Sequence, residues 1–308
     1  MSPVIRSLLV DKKELLEKSP FPLFVEIRSV VKPYPLHHHN FSEITVILHG
    51  EAEHQIGDLT CQAAVGDVFL FVGDKHHCFT KARDLKVINV QFAPELLGAA
   101  LAELRREPGF RAFFELEPKA RRSHGFRSRL TLLPAQLQYV ASICEDMERE
   151  TRERHVGFAF LTRIAFIHLC GYLGRCYSKL PGVKAQSLNR IGKALNRIEQ
   201  CYYERITVPD LASLTNMSES AFLRNFKEAM HRSPVDYLIQ YRIEKACQRL
   251  AGTEESVTDV ALEVGFNSVE YFSRKFRELM RCAPRDYRLK NREEGRTVTA
   301  SIAGKGPR

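Results

Sequence analysis

The amino-acid sequence predicts an α+β protein of more than one domain. A small β-barrel or sandwich is expected first, and an all-α domain with two helix-turn-helix units last. Residues 25–92 contain short apolar runs rich in β-branched residues and separated by Gly-Asp turns. Residues 207–287 contain one helical pattern twice, at an offset of about 50 residues. The length of 308 residues suits about two domains, each with its own core.

Histidines and one glutamate interrupt the apolar runs of the amino-terminal half. His37, His39 and Glu43 follow one another at spacings of two and four, and His76 stands near a later glycine turn. Imidazole and carboxylate groups bind zinc, iron, manganese or nickel, and they also hydrogen-bond to hydroxyl groups. These four residues are therefore the predicted ligand-binding site, with a divalent metal as the alternative occupant.

The region after the predicted strands differs from them in pattern. Residues 97–130 are basic and irregular, which indicates an insertion or surface hairpin. Residues 133–177 then show helical periodicity with two apolar faces, one of which includes Leu161. These helices are expected either to pair two subunits or to pack within their own subunit. Pro181-Gly182 lies in the best candidate for a linker.

Each carboxyl-terminal repeat has the pattern of a helix-turn-helix. Thr207 and Ser256 are the predicted caps of the first helices, and Ser218 and Asn267 of the second helices. Gly265 can adopt the positive φ that a tight turn between helices requires. The second helices each have phenylalanines at a spacing of four on the predicted buried face. These are Phe222, Phe226, Phe272 and Phe276.

The opposite faces of the second helices carry basic and polar residues, which suit contacts in a DNA major groove. A helix from Ser233 to Gly252 would hold these faces at a fixed spacing, with one DNA turn of about 34 Å as the natural distance. The predicted DNA-contacting residues are Glu219, Ser220, Leu223, Arg224, Lys227, Asn267, Val269, Glu270, Arg274 and Lys275.

Composition agrees with a nucleic-acid partner. The formal net charge is +9, which favours an anionic partner. The eight cysteines are scattered without a Cys-x-x-Cys pair, so reduced thiols in the cytoplasm are expected rather than a zinc knuckle. No apolar stretch has the length and composition of a signal peptide or a membrane span, so no membrane partner is expected.

The carboxyl-terminal region resembles the DNA-binding domain of AraC-family transcription regulators. The matching residues are Ala212, Met217, Ser218, Ser220, Arg224, Phe226, Lys227, Ser233, Pro234, Tyr237, Leu238, Ala261, Gly265, Phe266, Tyr271, Phe272, Arg274, Phe276, Pro284 and Tyr287. The family usually has glycine where His231 and Arg281 stand, and a left-handed backbone there would cost roughly 1 kcal/mol each. The resemblance implies a regulator, most simply an activator, that works as a homodimer with double-stranded DNA and RNA polymerase.

The amino-terminal half resembles a cupin barrel. His37, His39, Glu43 and Gly50 match the first cupin motif in spacing; Gly66, Gly73 and His76 match part of the second. Phe71 replaces the usual proline of that motif, and Thr80 stands where asparagine is common. Metal-binding cupins bring the corresponding residues to one metal ion. The run from His37 to Ile44 most resembles the sensor domains of the L-rhamnose operon activators, which implies a sugar effector.

The sequence thus predicts a ligand-responsive, DNA-binding transcription regulator and not an enzyme. The alternative is a metal-dependent cupin enzyme with a helical appendage. The predicted domains are a cupin-like sensing barrel at 1–130, a helical packing or dimerisation region at 131–177, a linker at 178–187, a double helix-turn-helix domain at 188–290 and a disordered tail at 291–308.

Overall fold

The computed structural model describes residues 8–10, 21–30, 36–73, 76–124 and 129–291. The chain divides into two compact units, Met1–Gly192 and Lys193–Arg308. The predicted disordered tail lies outside the described residues, apart from Asn291 at the end of a helix. No helix within the described part of the chain combines the length and the apolar character that a membrane crossing requires.

Among its described residues, the first unit contains an eight-stranded sheet. Its strands are β1 (Leu8–Val10), β2 (Leu23–Val30), β3 (His37–His39), β4 (Ser42–Ile56), β5 (Leu59–Ala64), β6 (Asp67–Phe71), β7 (His77–Phe92) and β8 (Leu130–Thr131). The two long strands β4 and β7 pair antiparallel over their whole length, from Ser42 opposite Phe92 to Ile56 opposite His77. β5 and β6 flank β4, while β2 and β3 flank β7.

The pairing of β4 with β7 bends near its middle. Register shifts occur between Ile47 and Glu53, and bulges of this kind bend and twist a strand. Gly50 lies in this region at φ 76°, where a Cβ atom would stand 2.3 Å from the carbonyl oxygen of Arg83. Both halves of β4 contribute to one buried apolar cluster, which includes Ile47 and Ile56, in agreement with the predicted sheet-rich domain.

Helices follow the sheet in the region that the sequence suggested to be an insertion or surface hairpin, so the hairpin alternative was wrong. The helical elements are a 3-10 turn (Pro94–Leu97), α1 (Ala100–Leu104), α2 (Pro108–Phe110), a π-helical segment (Arg111–Leu116) and α3 (Glu117–His124). Phe110, Phe113 and Leu116 are buried. These apolar residues are three positions apart, so one face packs inward although the segment is rich in arginine.

Three longer helices come next. They are α4 (Pro134–Glu153), α5 (Phe158–Ser178) and α6 (Val183–Gln200). α6 begins inside the predicted linker, so only residues 179–182 connect α5 to α6 and the linker is shorter than expected. Ala185, Leu188 and Ile191 are buried, and this apolar face makes the segment helical despite its polar composition.

Over residues 193–291, which the structure describes, the second unit contains helices and no strands, as predicted. Its remaining helices are α7 (Val208–Leu214), α8 (Glu219–Met230), α9 (Pro234–Gly252), α10 (Val257–Glu263), α11 (Val269–Met280) and α12 (284–291). Phe222, Phe226, Phe272 and Phe276 are all fully buried, which confirms the predicted inner faces of α8 and α11.

Side-chain caps start these helices. The hydroxyl oxygens of Thr207, Ser218, Ser233 and Ser256 each accept a hydrogen bond from a backbone N–H three residues later. Thr207, Ser218 and Ser256 are thereby confirmed as the predicted caps. The cap of α11 is Ser268 and not Asn267, because the Ser268 hydroxyl is the group that reaches the backbone N–H of Tyr271, at 3.1 Å.

Both turns use the same backbone geometry. Asn216 and Gly265 have φ values of 50° and 95°, and the next residue in each repeat donates a hydrogen bond of 3.0 Å to the first helix. His231 and Arg281 have φ values of 56° and 59°, so both residues take the left-handed conformation for which glycine is usual.

Candidate nucleic-acid interface and effector site

The outer face of α8 contains the five residues predicted to contact DNA from the first repeat. Glu219, Ser220, Leu223, Arg224 and Lys227 are all exposed. They project opposite the buried phenylalanines, since residues three and four apart share a face of a helix. One helix face thus presents two cations to solvent.

The corresponding face of α11 is more constrained. Asn267, Glu270 and Arg274 are exposed, whereas Val269 and Lys275 are half-buried. The Arg274 guanidinium lies over the Tyr271 ring, 5.2 Å from its centroid. The ammonium group of Lys275 donates to Glu278 at 2.8 Å. Arg274 is therefore held by an aromatic ring, whereas Lys275 is engaged by a neighbouring carboxylate.

An arginine of α9 holds the turn of the second repeat. The Arg242 guanidinium donates to the backbone carbonyls of Tyr202 at 2.6 Å and Glu204 at 2.7 Å. It also lies 5.8 Å from the Phe266 ring centroid. A Cβ atom at Gly265 would stand 2.8 Å from this guanidinium, so the turn requires glycine for space as well as for φ.

A buried polar cluster lies inside the sheet of the first unit. One ligand atom from each of His39, Glu43 and His77 falls within 4.8 Å of the others. His39 Nε2 stands 3.7 Å from Glu43 Oε2, and both side chains are almost fully buried. Three groups that bind metals or hydroxyls thus converge in a place shielded from water.

Neighbouring groups orient the cluster. His39 Nδ1 donates to the Phe41 carbonyl at 2.9 Å, and its other ring nitrogen, Nε2, is the one that stands near Glu43. The Glu43 carboxylate accepts from the Thr45 hydroxyl at 2.9 Å and from the Gln91 amide at 3.1 Å. The Nε2 atoms of His39 and His77 are buried without a hydrogen-bond partner among the described residues.

The structure places the four predicted ligand-binding residues at different distances from this cluster. His77 lies in the cluster and His76 does not, because alternate residues of a strand face opposite sides of its sheet. The His76 ring instead packs 4.4 Å from His38. The His37 ring lies 4.2 Å from His77 and 6.3 Å from His39, at the edge of the cluster. Of the four predicted residues, only His39 and Glu43 belong to the compact group.

Sequence reasoning missed His54. This residue is fully buried, and its ring lies 6.1 Å from His77. Burial lowers the pKa of His54 well below the usual histidine value, and the positive charges of Arg121 and His37 lower it further. Burial likewise lowers the pKa of His77. The sequence signal for His54 was its position between Ala52 and Ile56, since these alternate residues of β4 are all buried.

A buried ion pair from α3 faces the same interior. The Arg121 guanidinium donates to both oxygens of Glu117, at 2.9 Å and 2.5 Å, and to the Leu70 carbonyl at 2.9 Å. It stands 6.0 Å from the Phe71 ring, which in turn lies 3.9 Å from His77. The helix and the histidine cluster therefore contact the same strand, β6.

Comparisons with known proteins agree with this two-part organisation. Residues 29–152 match the family model of an AraC-like ligand binding domain, and residues 211–290 match that of a helix-turn-helix domain. The HTH-type transcriptional activator RhaR of Mannheimia succiniciproducens is 26% identical over 269 residues, which cover 87% of this chain and 91% of the relative.

Two further relatives extend the comparison. RhaR of Yersinia pseudotuberculosis serotype O:1b is 25% identical over 287 residues, which cover 91% of this chain and 93% of the relative. The uncharacterized HTH-type transcriptional regulator YdeC of Bacillus subtilis is 38% identical over 103 residues, which cover 33% of this chain and 35% of the relative. These relatives are transcription regulators, which decides against the alternative of a metal-dependent enzyme.

Proposed function

We propose that this chain, a DNA-binding transcription regulator of the AraC family, activates transcription when a small polar effector of the sugar class binds inside its amino-terminal barrel. The observation that carries the proposal is the buried group of His39, Glu43 and His77, in the same chain as two helix-turn-helix units. Buried polar groups need partners, so a hydroxylated ligand would satisfy the histidine nitrogens. The two RhaR relatives are activators by name, which supports the sign of regulation.

The proposal includes the setting in which the chain works. It acts in the cytoplasm as a homodimer on double-stranded DNA and assists RNA polymerase there. Effector and operator must each change the affinity of the other by the same factor, because the two binding events are thermodynamically linked.

A divalent transition metal is the second candidate for the effector. Two imidazoles and one carboxylate suit zinc, nickel, iron or manganese, and the hydrogen bond from His39 Nδ1 to the Phe41 carbonyl leaves Nε2 as the nitrogen that would bind an ion. His39, Glu43 and His77 would hold the ion. Its charge would balance Glu43 and draw three strands together.

One experiment separates the two candidates. The unfolding temperature of the full chain is measured with a panel of monosaccharides that includes L-rhamnose, and with zinc or nickel, each with and without chelator. A sugar effector raises the temperature in the presence of chelator, whereas a metal effector raises it only in its absence. Operator affinity is measured in parallel by gel shift, and an occupant that changes stability without changing operator affinity contradicts the proposed regulation.

The first prediction concerns the recognition of DNA bases by α8 and α11. Arg224→Ala and Arg274→Ala are each expected to weaken operator binding by about 1–3 kcal/mol and to relax specificity at one base step, since arginine to guanine is the commonest specific contact. Binding to operator variants is measured at two salt concentrations. Arg277→Ala is the control, because Arg277 is also exposed on α11 but was not predicted to contact DNA.

The outcome also distinguishes two kinds of contact. Uniform weakening across operator variants, with a shallower salt dependence, would show a phosphate contact instead of base readout. Wild-type affinity in both arginine variants would contradict the predicted interface.

Pairing of subunits gives a second prediction. Phe160, Leu161 and Ile164 are exposed together on α5, with 66%, 49% and 49% of their surface accessible. An apolar face of this kind suits a second copy of the chain. Leu161→Glu is expected to convert dimers to monomers. It should also weaken operator binding, because two linked DNA-binding domains bind more tightly than one.

Sedimentation and operator affinity are measured for the full chain and the variant. Leu289→Glu serves as the control, since it adds the same charge at an exposed leucine of the second unit. A Leu161→Glu chain that still sediments as a dimer would show that pairing uses another surface.

A further inference from the structure

His54 occupies an environment that suits a phenylalanine better than a histidine. Its ring stacks on Phe79 at 4.0 Å and meets Phe69 edge-on at 4.4 Å, with Phe71 at 5.5 Å. The surrounding cluster is apolar, and it includes Ile56 and Leu85. Packing alone therefore does not explain an imidazole at this position.

Both ring nitrogens of His54 are buried without a hydrogen-bond partner among the described residues. A neutral imidazole has one N–H donor and one acceptor nitrogen. Buried polar atoms in folded proteins are almost always paired with protein, ligand or ordered water. The unpaired nitrogens therefore indicate a partner that is not part of the polypeptide.

A single ion at the neighbouring cluster would not supply that partner. The compact group consists of His39, Glu43 and His77, and His54 is not among the side chains whose ligand atoms lie within 4.8 Å of one another. The His54 ring is nevertheless near enough to His77, at 6.1 Å between centroids, for one small molecule to contact both. An occupant of this interior must thus offer a second polar atom beyond the one bound by the cluster.

We infer that His54 is a second recognition point of the effector site, where it hydrogen-bonds an oxygen atom of the occupant. This inference rests on the proposed effector function of the barrel. The oxygen belongs either to a hydroxyl group of a polyhydroxylated ligand or to a water molecule on a bound metal ion. In both cases His54 selects occupants by the oxygen that they place next to one of its ring nitrogens.

Substitution of His54 in the full chain tests the inference. His54→Phe removes both nitrogens and keeps an aromatic ring in the apolar cluster, so the unliganded chain should unfold at the wild-type temperature or above it. The probes are the monosaccharide panel with chelator and Co²⁺ without sugar, followed by titration calorimetry and by the visible absorption of Co²⁺. His49→Phe is the control, because His49 is an exposed histidine of the same strand.

The expected result is a loss of affinity of about 10-fold or more for the probe that binds the wild-type chain, with His49→Phe unchanged. If His54→Phe loses affinity for the sugar only, the partner of His54 is a hydroxyl group of the ligand. If the Co²⁺ spectrum and the affinity for Co²⁺ change in His54→Phe, the partner of His54 is a water molecule bound to the metal ion. Unchanged affinity for both probes in His54→Phe would overturn the inference and leave His54 as a core residue. If His54→Phe does not fold, His54→Leu replaces it in the same measurements.

A crystal structure of the chain as purified gives an answer that needs no probe. An ordered oxygen within about 3.2 Å of a His54 nitrogen supports the inference, whereas carbon atoms alone around both nitrogens overturn it. These outcomes differ from a failure of the proposed function itself. In that case the wild-type chain would show no operator binding, or operator binding that no occupant changes.

Discussion

Replacement of Phe276 by alanine is expected to destabilise the second unit by about 3–5 kcal/mol and to abolish operator binding at ordinary temperatures. Phe276 has no exposed surface, and its ring packs 5.6 Å from both Phe272 and Tyr287. Its removal leaves a cavity between α9, α10 and α11. Domains are stable by only about 5–15 kcal/mol in total, so this loss is a large share of the stability.

Chemical denaturation of the full chain and a gel shift with the operator measure the two effects. Leu279→Ala on the same helix is the matched control, because Leu279 is 42% exposed and its truncation should change the free energy of unfolding by less than about 1 kcal/mol. Equal destabilisation by the two variants would mean that Phe276 does not lie in a packed core.

Replacement of Arg121 by alanine is expected to destabilise the first unit by about 3–5 kcal/mol, because it leaves the Glu117 carboxylate buried without its cation. Glu117 has no exposed surface and Arg121 retains only 6%. The same change removes the hydrogen bond from Arg121 to the Leu70 carbonyl on β6. Effector binding should weaken as well, since that strand contributes Phe71 beside His77.

Two controls make this prediction specific. Arg106→Ala breaks an exposed pair with Glu103, 3.1 Å long, and should change stability by less than about 1 kcal/mol. The double replacement Arg121→Met with Glu117→Leu removes both charges and should recover most of the lost stability, since apolar pairs of similar volume often replace buried ion pairs without loss. A double variant as unstable as Arg121→Ala would show that the hydrogen bond to β6, and not the unpaired carboxylate, dominates.

Local rules account for the close agreement in the second unit. Thr207, Ser218 and Ser256 cap helices as predicted, because a cap depends on residues only three positions apart. The phenylalanines of α8 and α11 are buried as predicted, because their spacing of four follows the helical period. The cap at Ser268 was missed because Asn267 and Ser268 are both good caps in sequence.

The effector site depends on contacts between residues distant in sequence, and there spacing along the chain is a weaker guide. His39 and Glu43 lie four residues apart and could be paired by spacing, but the choice of His77 over His76 depends on which face of β7 turns inward. A shift of one residue in register would reverse that choice.

By itself, the sequence determined two helix-turn-helix units, their caps and inner faces, and a sheet-rich domain containing histidines and a glutamate. Only the tertiary structure decided that the His54 ring lies 6.1 Å from the His77 ring and that Arg121 and Glu117 form a buried pair bonded to β6. The physical reason is distance along the chain. Helix caps and periods act over a few residues, whereas the bend of β4 against β7 brings His54 to His77 across 23 positions.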